Sequence, residues 1–201
     1  MPAAYLLGYE TVADFLGDQA FAQLEHQLIF QEIIPSVDMP PEELIPFARQ
    51  VEERFRNPFI THYLADIQLN SCSKFCARCL PTILDYQVQV GKLPKRMVFG
   101  LAALIRYLRV EQQGGIYRGR KENGEGYTVR DNAEVLEFFA RAWNKKQSHT
   151  VAERVLANRG LWDGRDLTEI PGLTRLTVSY LEQMEQDGIH NTIKLLIKGG
   201  E

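Results

Sequence analysis

The sequence predicts a mainly α-helical single domain with one small β-hairpin near residues 115–130. Three observations carry that expectation. Apolar residues recur at three- and four-residue spacing along nearly the whole chain, as in helices that bury one face. Prolines and glycines stand at the ends of those runs. One segment, Gly114 to Asp131, breaks the period with two β-prone runs around Asn123-Gly124, and Asn-Gly is the preferred pair of a type I′ hairpin turn.

The first helical run is Asp18 to Ile34, with Phe21, Leu24, Leu28 and Ile29 on one face and Pro35 as its stop. Pro40-Pro41-Glu42-Glu43 opens a second helix, because proline and acidic side chains suit a helix N-terminus. It carries Leu44, Phe47, Ala48 and Val51 on one side and ends at Asn57-Pro58. Two more helices are expected over Phe59–Leu69 and Ser73–Val90, with Gly91 closing the latter. Met97–Val110 is apolar nearly all round and therefore belongs at the centre. Asp131 is placed to cap Ala133–Trp143. Val151–Ala157, Leu173–Met184 and Ile189–Lys198 complete the series.

Composition excludes several functions. The 201 residues carry a net charge of −3, without the basic excess of a nucleic-acid binder. The densest basic piece, Tyr117 to Lys121, sits beside Glu122 and Glu125 and reads as a solvated loop. No apolar run reaches the roughly 18–20 residues that span a bilayer, so no membrane association is expected. The N-terminal residues lack a basic leader, and three clustered cysteines are no disulfide framework. A reduced, cytoplasmic protein is the expectation. No G-x-G-x-x-G, G-x4-G-K-[ST], H-E-x-x-H or G-x-S-x-G occurs, and Gly114-Gly115 and Gly199-Gly200 are isolated pairs.

Cys72, Cys76 and Cys79 stand in C-x3-C-x2-C spacing, the spacing that holds an iron–sulfur cluster in radical enzymes. On a helix they share one face, whereas a cluster needs thiolates from several directions. Zinc would need a fourth ligand, and the nearest histidine, His62, is ten residues upstream. The expectation is cysteine as a small buried hydrophobe, with no metal bound.

The richest polar stretch is Glu53 to Arg78, which sets Arg54, Arg56, Asn57, His62, Asn70, Ser73, Lys74 and Arg78 among large apolar residues. Arg54, Asn57 and His62 come from a helix end, a turn and the next helix start, a corner that can converge on one ligand. Arginine offers a fork matched to a carboxylate, lysine a mobile charge, and Asn and His can hold hydroxyls. That inventory fits an anionic, polyhydroxylated small molecule. The alternative is purely structural: Arg54 pairing with Glu52 or Asp66, His62 packing, and Lys74 in water.

These pieces, E-R-F-x-N-P at Glu53–Pro58 and S-K-F-x-x-R-x-L-P at Ser73–Pro81, resemble the C-terminal domain of the polyol-specific long-chain dehydrogenases, the mannitol dehydrogenase family. Three further stretches agree, at residues 2–18, 92–108 and 161–184, so the resemblance covers essentially the whole chain. It implies that residues 1–201 form a substrate-side helical domain like that of 6-phosphogluconate dehydrogenase. It also implies NAD as cofactor, bound mainly by an N-terminal Rossmann domain absent from this chain. The family's catalytic signature, K-x4-N-x2-H, is likewise absent, so no catalytic residue is expected here and the chain alone is expected to be inactive. The reaction implied is reduction of D-tagaturonate to D-altronate in hexuronate catabolism, with fructuronate or mannitol as alternative substrates. In this reading Arg54 contacts the substrate, and Asn57, His62 and Lys74 stand in the matching motifs. The partners implied are a small sugar acid and the missing Rossmann domain. The rival reading is a non-catalytic helical module that self-associates.

Overall fold

Helix-forming runs separated by proline and glycine stops give a string of helices that wraps around its most apolar member. The structure, a computed structural model, describes residues 1–57 and 59–199. The order is α1 (Pro2–Leu6), α2 (Val12–Leu16), α3 (Gln19–Leu28), a π-helical segment (Ile29–Ile33), α4 (Ile34–Ser36), α5 (Pro41–Phe55), α6 (Leu64–Ile67), α7 (Ser71–Arg78), α8 (Leu80–Val90) and α9 (Lys95–Tyr107). A small antiparallel sheet follows, β1 (Glu111–Gln113), β2 (Ile116–Arg120) and β3 (Gly126–Thr128), in that spatial order. Then come α10 (Ala133–Trp143), α11 (Ser148–Leu156), a 3-10 turn (Leu167–Glu169), α12 (Leu173–Gln186) and α13 (Ile189–Lys198). Among the described residues no helix is long and apolar enough to cross a membrane.

Helix α9 occupies the centre, as its composition predicts. Val98, Leu101, Ala102, Leu104 and Ile105 are almost wholly buried, and α1, α3, α7, α11 and α12 pack around them. Burying each such leucine or isoleucine is worth about 1.5–3 kcal/mol. A buried helix start needs partners for its first N–H groups. Glu32 provides them. Its Oε1 accepts from the Arg96 N–H at 2.8 Å and its Oε2 from the Met97 N–H at 2.9 Å. The Arg96 guanidinium closes on Oε1 at 3.2 Å and donates twice more to Gln27 Oε1. Burial pushes the Glu32 carboxyl up, and the two N–H groups and the guanidinium oppose that.

Pro35 does not end the first helical run as expected. The chain widens into the π segment, where the Ile34 N–H reaches back five residues to the Ile29 carbonyl, and continues to Ser36. A proline ring clashes with the carbonyl four residues back, and a widened turn is one way to relieve that. The Phe59–Leu69 helix shrinks to α6. Phe59 and Ile60 turn back on Asn57 instead, and the chain then runs to a bridge of Tyr63 with Thr11. The Val12 N–H bonds the His62 carbonyl at 3.0 Å and the Leu64 N–H the Glu10 carbonyl at 2.8 Å. Ser73–Val90 is two helices, broken at Cys79, because Pro81 belongs in a first turn. Asp131 caps α7 rather than α10: its Oδ2 accepts from the Cys72 N–H at 3.1 Å, and Asn132 caps α10. Pro58, named above as a stop, and Gly200 lie outside the described residues. The short helices α1 and α2 have no counterpart in the sequence reading, although Thr11 and Asp14 form a capping box.

The hairpin exists and gains a third strand. Gly114 and Gly115, both at positive φ, make the two-residue turn between β1 and β2, which Asn123-Gly124 does not. The latter pair sits in a longer loop, where only Gly124 has positive φ. In β2, Gly119 leaves room for the Tyr127 ring, which a Cβ would strike, and the Tyr127 hydroxyl donates to the Tyr107 carbonyl at 2.6 Å.

Glu32→Ala leaves Arg96 buried without its carboxylate and the start of α9 uncapped. The expected loss is about 3 kcal/mol, read from denaturant unfolding. Asp18 caps α3 and lies 3.0 Å from His190 Nε2 of α13. Burial alone would raise its pKa, but His190, the Ala20 and Phe21 N–H groups and the Tyr9 hydroxyl hold it below the usual carboxylate range. Its contribution is therefore complete above the unfolded value near 4 and is lost as pH falls through the lower folded value. Asp18→Asn should flatten that acid limb in unfolding curves recorded against pH.

Candidate functional site

The polar stretch between α5 and α7 forms a corner whose walls come from three pieces of chain. The last turn of α5 carries Arg54, the connection carries Asn57 and His62, and α7 carries Lys74 and Arg78. The bridge to Thr11 fixes the backbone of the connection. The corner also rests on α3, through His26 Nδ1, which stands 3.0 Å from Glu52 Oε1. Glu25 lies beside that pair with both carboxylate oxygens buried and no hydrogen-bond partner among the described residues. Burial first and Glu52 second push its carboxyl up, against Arg56 and His26.

His62 and Lys74 come together. With Tyr63, Asp66, Ile67 and Arg78 they line a shallow cleft of about 360 Å³. Lys74 Nζ spends one donor on the Ile67 carbonyl at 3.2 Å, which steadies it and leaves two free. The His62 ring packs edge-on against Phe55, centroids 6.3 Å apart. Arg54 and Asn57 do not line this cleft. The Asn57 side-chain oxygen accepts the Phe59 N–H at 3.0 Å, closing a local turn. Arg54 is exposed and has no ion-pair partner among the described residues. Glu52 pairs with His26 and Asp66 with Arg130, so the purely structural pairing considered for Arg54 is not what forms. Two cations and an imidazole around one cleft can orient a carboxylate and hold a hydroxyl.

The cysteines take the structural course. Cys72 is buried, and Cys76 and Cys79 are half-buried. Burial pushes all three thiols up, Cys72 to about 12, the opposite of what a metal ligand or nucleophile needs. Among the described residues no group of three or more His, Cys, Asp or Glu side chains could hold a metal ion. The basic piece 117–121 is not a solvated loop. Arg118 and Arg120 belong to β2, Lys121 pairs with Glu125 at 3.1 Å, and Glu122 accepts the Ile189 N–H at the start of α13.

This arrangement is the fold of the C-terminal domain of the mannitol dehydrogenase family. The mannitol 2-dehydrogenase of Pseudomonas fluorescens, solved with NAD and D-mannitol, superposes with a TM-score of 0.83 over 98% of this chain and 37% of its own, at 23% identity. A D-sorbitol dehydrogenase matches at a TM-score of 0.73 over 96% of this chain, at 18% identity. The family model of the mannitol dehydrogenase C-terminal domain matches residues 1–185, and the chain belongs to that family. Relatives include the altronate oxidoreductase of Yersinia pestis, 38% identical over 96% of this chain, and that of Escherichia coli O7:K1, 36% identical over 98%. The chain spans 39% of the length of these curated relatives.

A thiol reagent applied to the folded chain at neutral pH should spare Cys72, and the same reagent in denaturant should label all three cysteines. Peptide mass spectrometry reads the difference, and rapid native labelling of Cys72 would contradict its burial.

Proposed function

We propose that this chain is the substrate-side domain of an NAD-dependent reductase that interconverts D-tagaturonate and D-altronate, and that it is inactive without a dinucleotide-binding domain. The observation that carries the reading is one cleft holding Lys74, Arg78 and His62 on a chain so similar to altronate oxidoreductases. A hexuronate offers a carboxylate at one end and hydroxyls along its length. In the cleft Lys74 orients the acid group and His62 holds a hydroxyl; Arg54, on the last turn of α5 outside the cleft, is the second cation proposed for the acid group, and Asn57 holds the turn that follows it. Reduction of the carbonyl needs a hydride, which a nicotinamide cofactor supplies when bound, and a proton from a group outside this chain. The residues of this domain place the sugar acid and cover it from water.

The surface beside the corner supports a neighbouring domain. Phe59 is 94% exposed, and Ile60 and Tyr63 are about half exposed. Soluble proteins seldom leave such side chains together in water unless something docks on them. A dinucleotide-binding domain seated there would cover them and bring the cofactor to the corner.

The test uses this domain joined to a dinucleotide-binding domain, with NAD-linked oxidation followed by cofactor absorbance. D-Altronate should be preferred to D-mannitol. Arg54→Ala should raise KM strongly and lower kcat, and Lys74→Ala should raise KM about tenfold or more. Unchanged kinetics in both variants would sink the assignment of the corner, and equal use of mannitol would sink the sugar acid. An isolated chain that self-associates on a sizing column and ignores altronate would favour the rival binding module.

A further inference from the structure

A second polar cleft lies away from that corner and shares no lining residue with it. It has a volume of about 830 Å³ and opens between the C-terminal end of α9, the sheet, and the end of α10. Six cations line it: Arg106, Arg109, Arg118, Arg120, Lys145 and Lys146. Glu111 is the one acid on the wall, directly opposite Arg118 in the strand register. The chain as a whole is acidic, at −3, so this concentration of positive charge is local.

The cations are also poorly neutralised. Arg109 meets Glu185 at 3.1 Å, but that pair is exposed and therefore weak. Arg106, Arg118, Arg120, Lys145 and Lys146 have no ion-pair partner among the described residues. Arg106 is half-buried on α9, where burial first and the neighbouring Arg109 second disfavour its charge. Glu185 and Glu122 offset this only in part and neither pairs with it directly, so an anion entering the cleft relieves it further. The floor is rigid. Arg109 lies over the buried Trp143 ring, 4.8 Å from its centroid, and Trp143 Nε1 donates to the Ile105 carbonyl at 3.2 Å. The strand face is rigid too, because Gly119 admits the Tyr127 ring on which β2 rests.

We propose that this cleft binds a small anion carrying two or more adjacent phosphate groups. One carboxylate would leave most of these cations unanswered. Four guanidinium forks match the equatorial oxygens of linked phosphates, which accept bidentate pairs. The volume lies in the range of small-molecule sites, and the mouth is a cleft rather than an extended stripe for a polymer. The phosphates come either as a free phosphorylated metabolite or as the pyrophosphate of a dinucleotide.

The probe is inorganic pyrophosphate, titrated calorimetrically into the chain at low ionic strength. Saturable binding is expected, with single phosphate at least about tenfold weaker and with affinity falling as salt is added. Arg106→Gln and Arg118→Gln should each weaken pyrophosphate about tenfold. Arg118 is exposed on β2, so its replacement keeps the fold, and circular dichroism checks that for both variants. A titration with NAD in the presence of pyrophosphate identifies the source. Competition points to the dinucleotide, and binding of pyrophosphate without competition points to a free phosphorylated metabolite. No saturable heat, or equal affinity in the wild type and both variants, overturns the site. Neither result bears on altronate binding at Lys74, which stands or falls separately.

Discussion

The capping of α9 by Glu32 is the interaction on which the rest of this domain depends. A helix can sit in the centre of a domain only if its ends are satisfied there, because unpaired N–H groups in an apolar interior each cost about 1–3 kcal/mol. Glu32 answers two of them and Arg96 at once, and Gln27 holds the far side of the guanidinium. With that end closed, α9 can bury most of its length, and α1, α3, α7, α11 and α12 take their positions from it. The C-terminal end of the same helix then delivers Arg106 to the basic cleft, while its flank against α7 sets the level of Lys74. Both polar faces are thus referenced to one buried axis.

The corner between α5 and α7 shows how a loop can be made definite without being a helix. Phe59, Ile60 and Tyr63 face outward, while backbone bonds of His62 with Val12 and of Leu64 with Glu10 pin the segment from behind. The backbone is satisfied by the bridge, so the side chains are free to face a ligand or a second domain. Glu52 and His26 brace the end of α5, and Asp131 braces the start of α7. The charged groups that would touch a sugar acid are therefore held by residues that never meet it.

Much of the fold was legible in the sequence because hydrophobic period survives tertiary packing. Ile189–Lys198 and the core of Met97–Tyr107 follow from spacing alone, and the pair β2–β3 follows from β-prone runs around a turn, while β1 has no counterpart in the sequence reading. The misses share a physical cause. Periodicity reports which face of a segment is apolar, not where its backbone hydrogen bonds go. Phe59–Leu69 has a helical pattern, but Phe59 and Ile60 bond back to Asn57, and His62 and Leu64 bond to Val12 and Glu10 across the chain. Asp131 and Glu32 are likewise claimed by helices distant in sequence, which no local window reveals. In the corner, the sequence pattern joins Arg54, Asn57 and His62, whereas the structure sets His62 beside Lys74, gives the Asn57 oxygen to its own turn and leaves Arg54 apart from the cleft. The basic cleft was missed because its cations come from α9, β2 and the loop after α10, dispersed over forty residues and diluted by acids nearby in sequence.

The π segment has a consequence for register. A π turn holds one more residue than an α turn, so the extra residue is absorbed within a single turn and the helix on either side keeps its phase. Removing one residue from 29–33 would therefore leave α3 and α4 facing as they do now. The change would be local: the wide turn in which the Ile34 N–H reaches the Ile29 carbonyl would close, and the Pro35 ring would meet the carbonyl four residues back. The extra residue is the room a proline takes inside an unbroken helix.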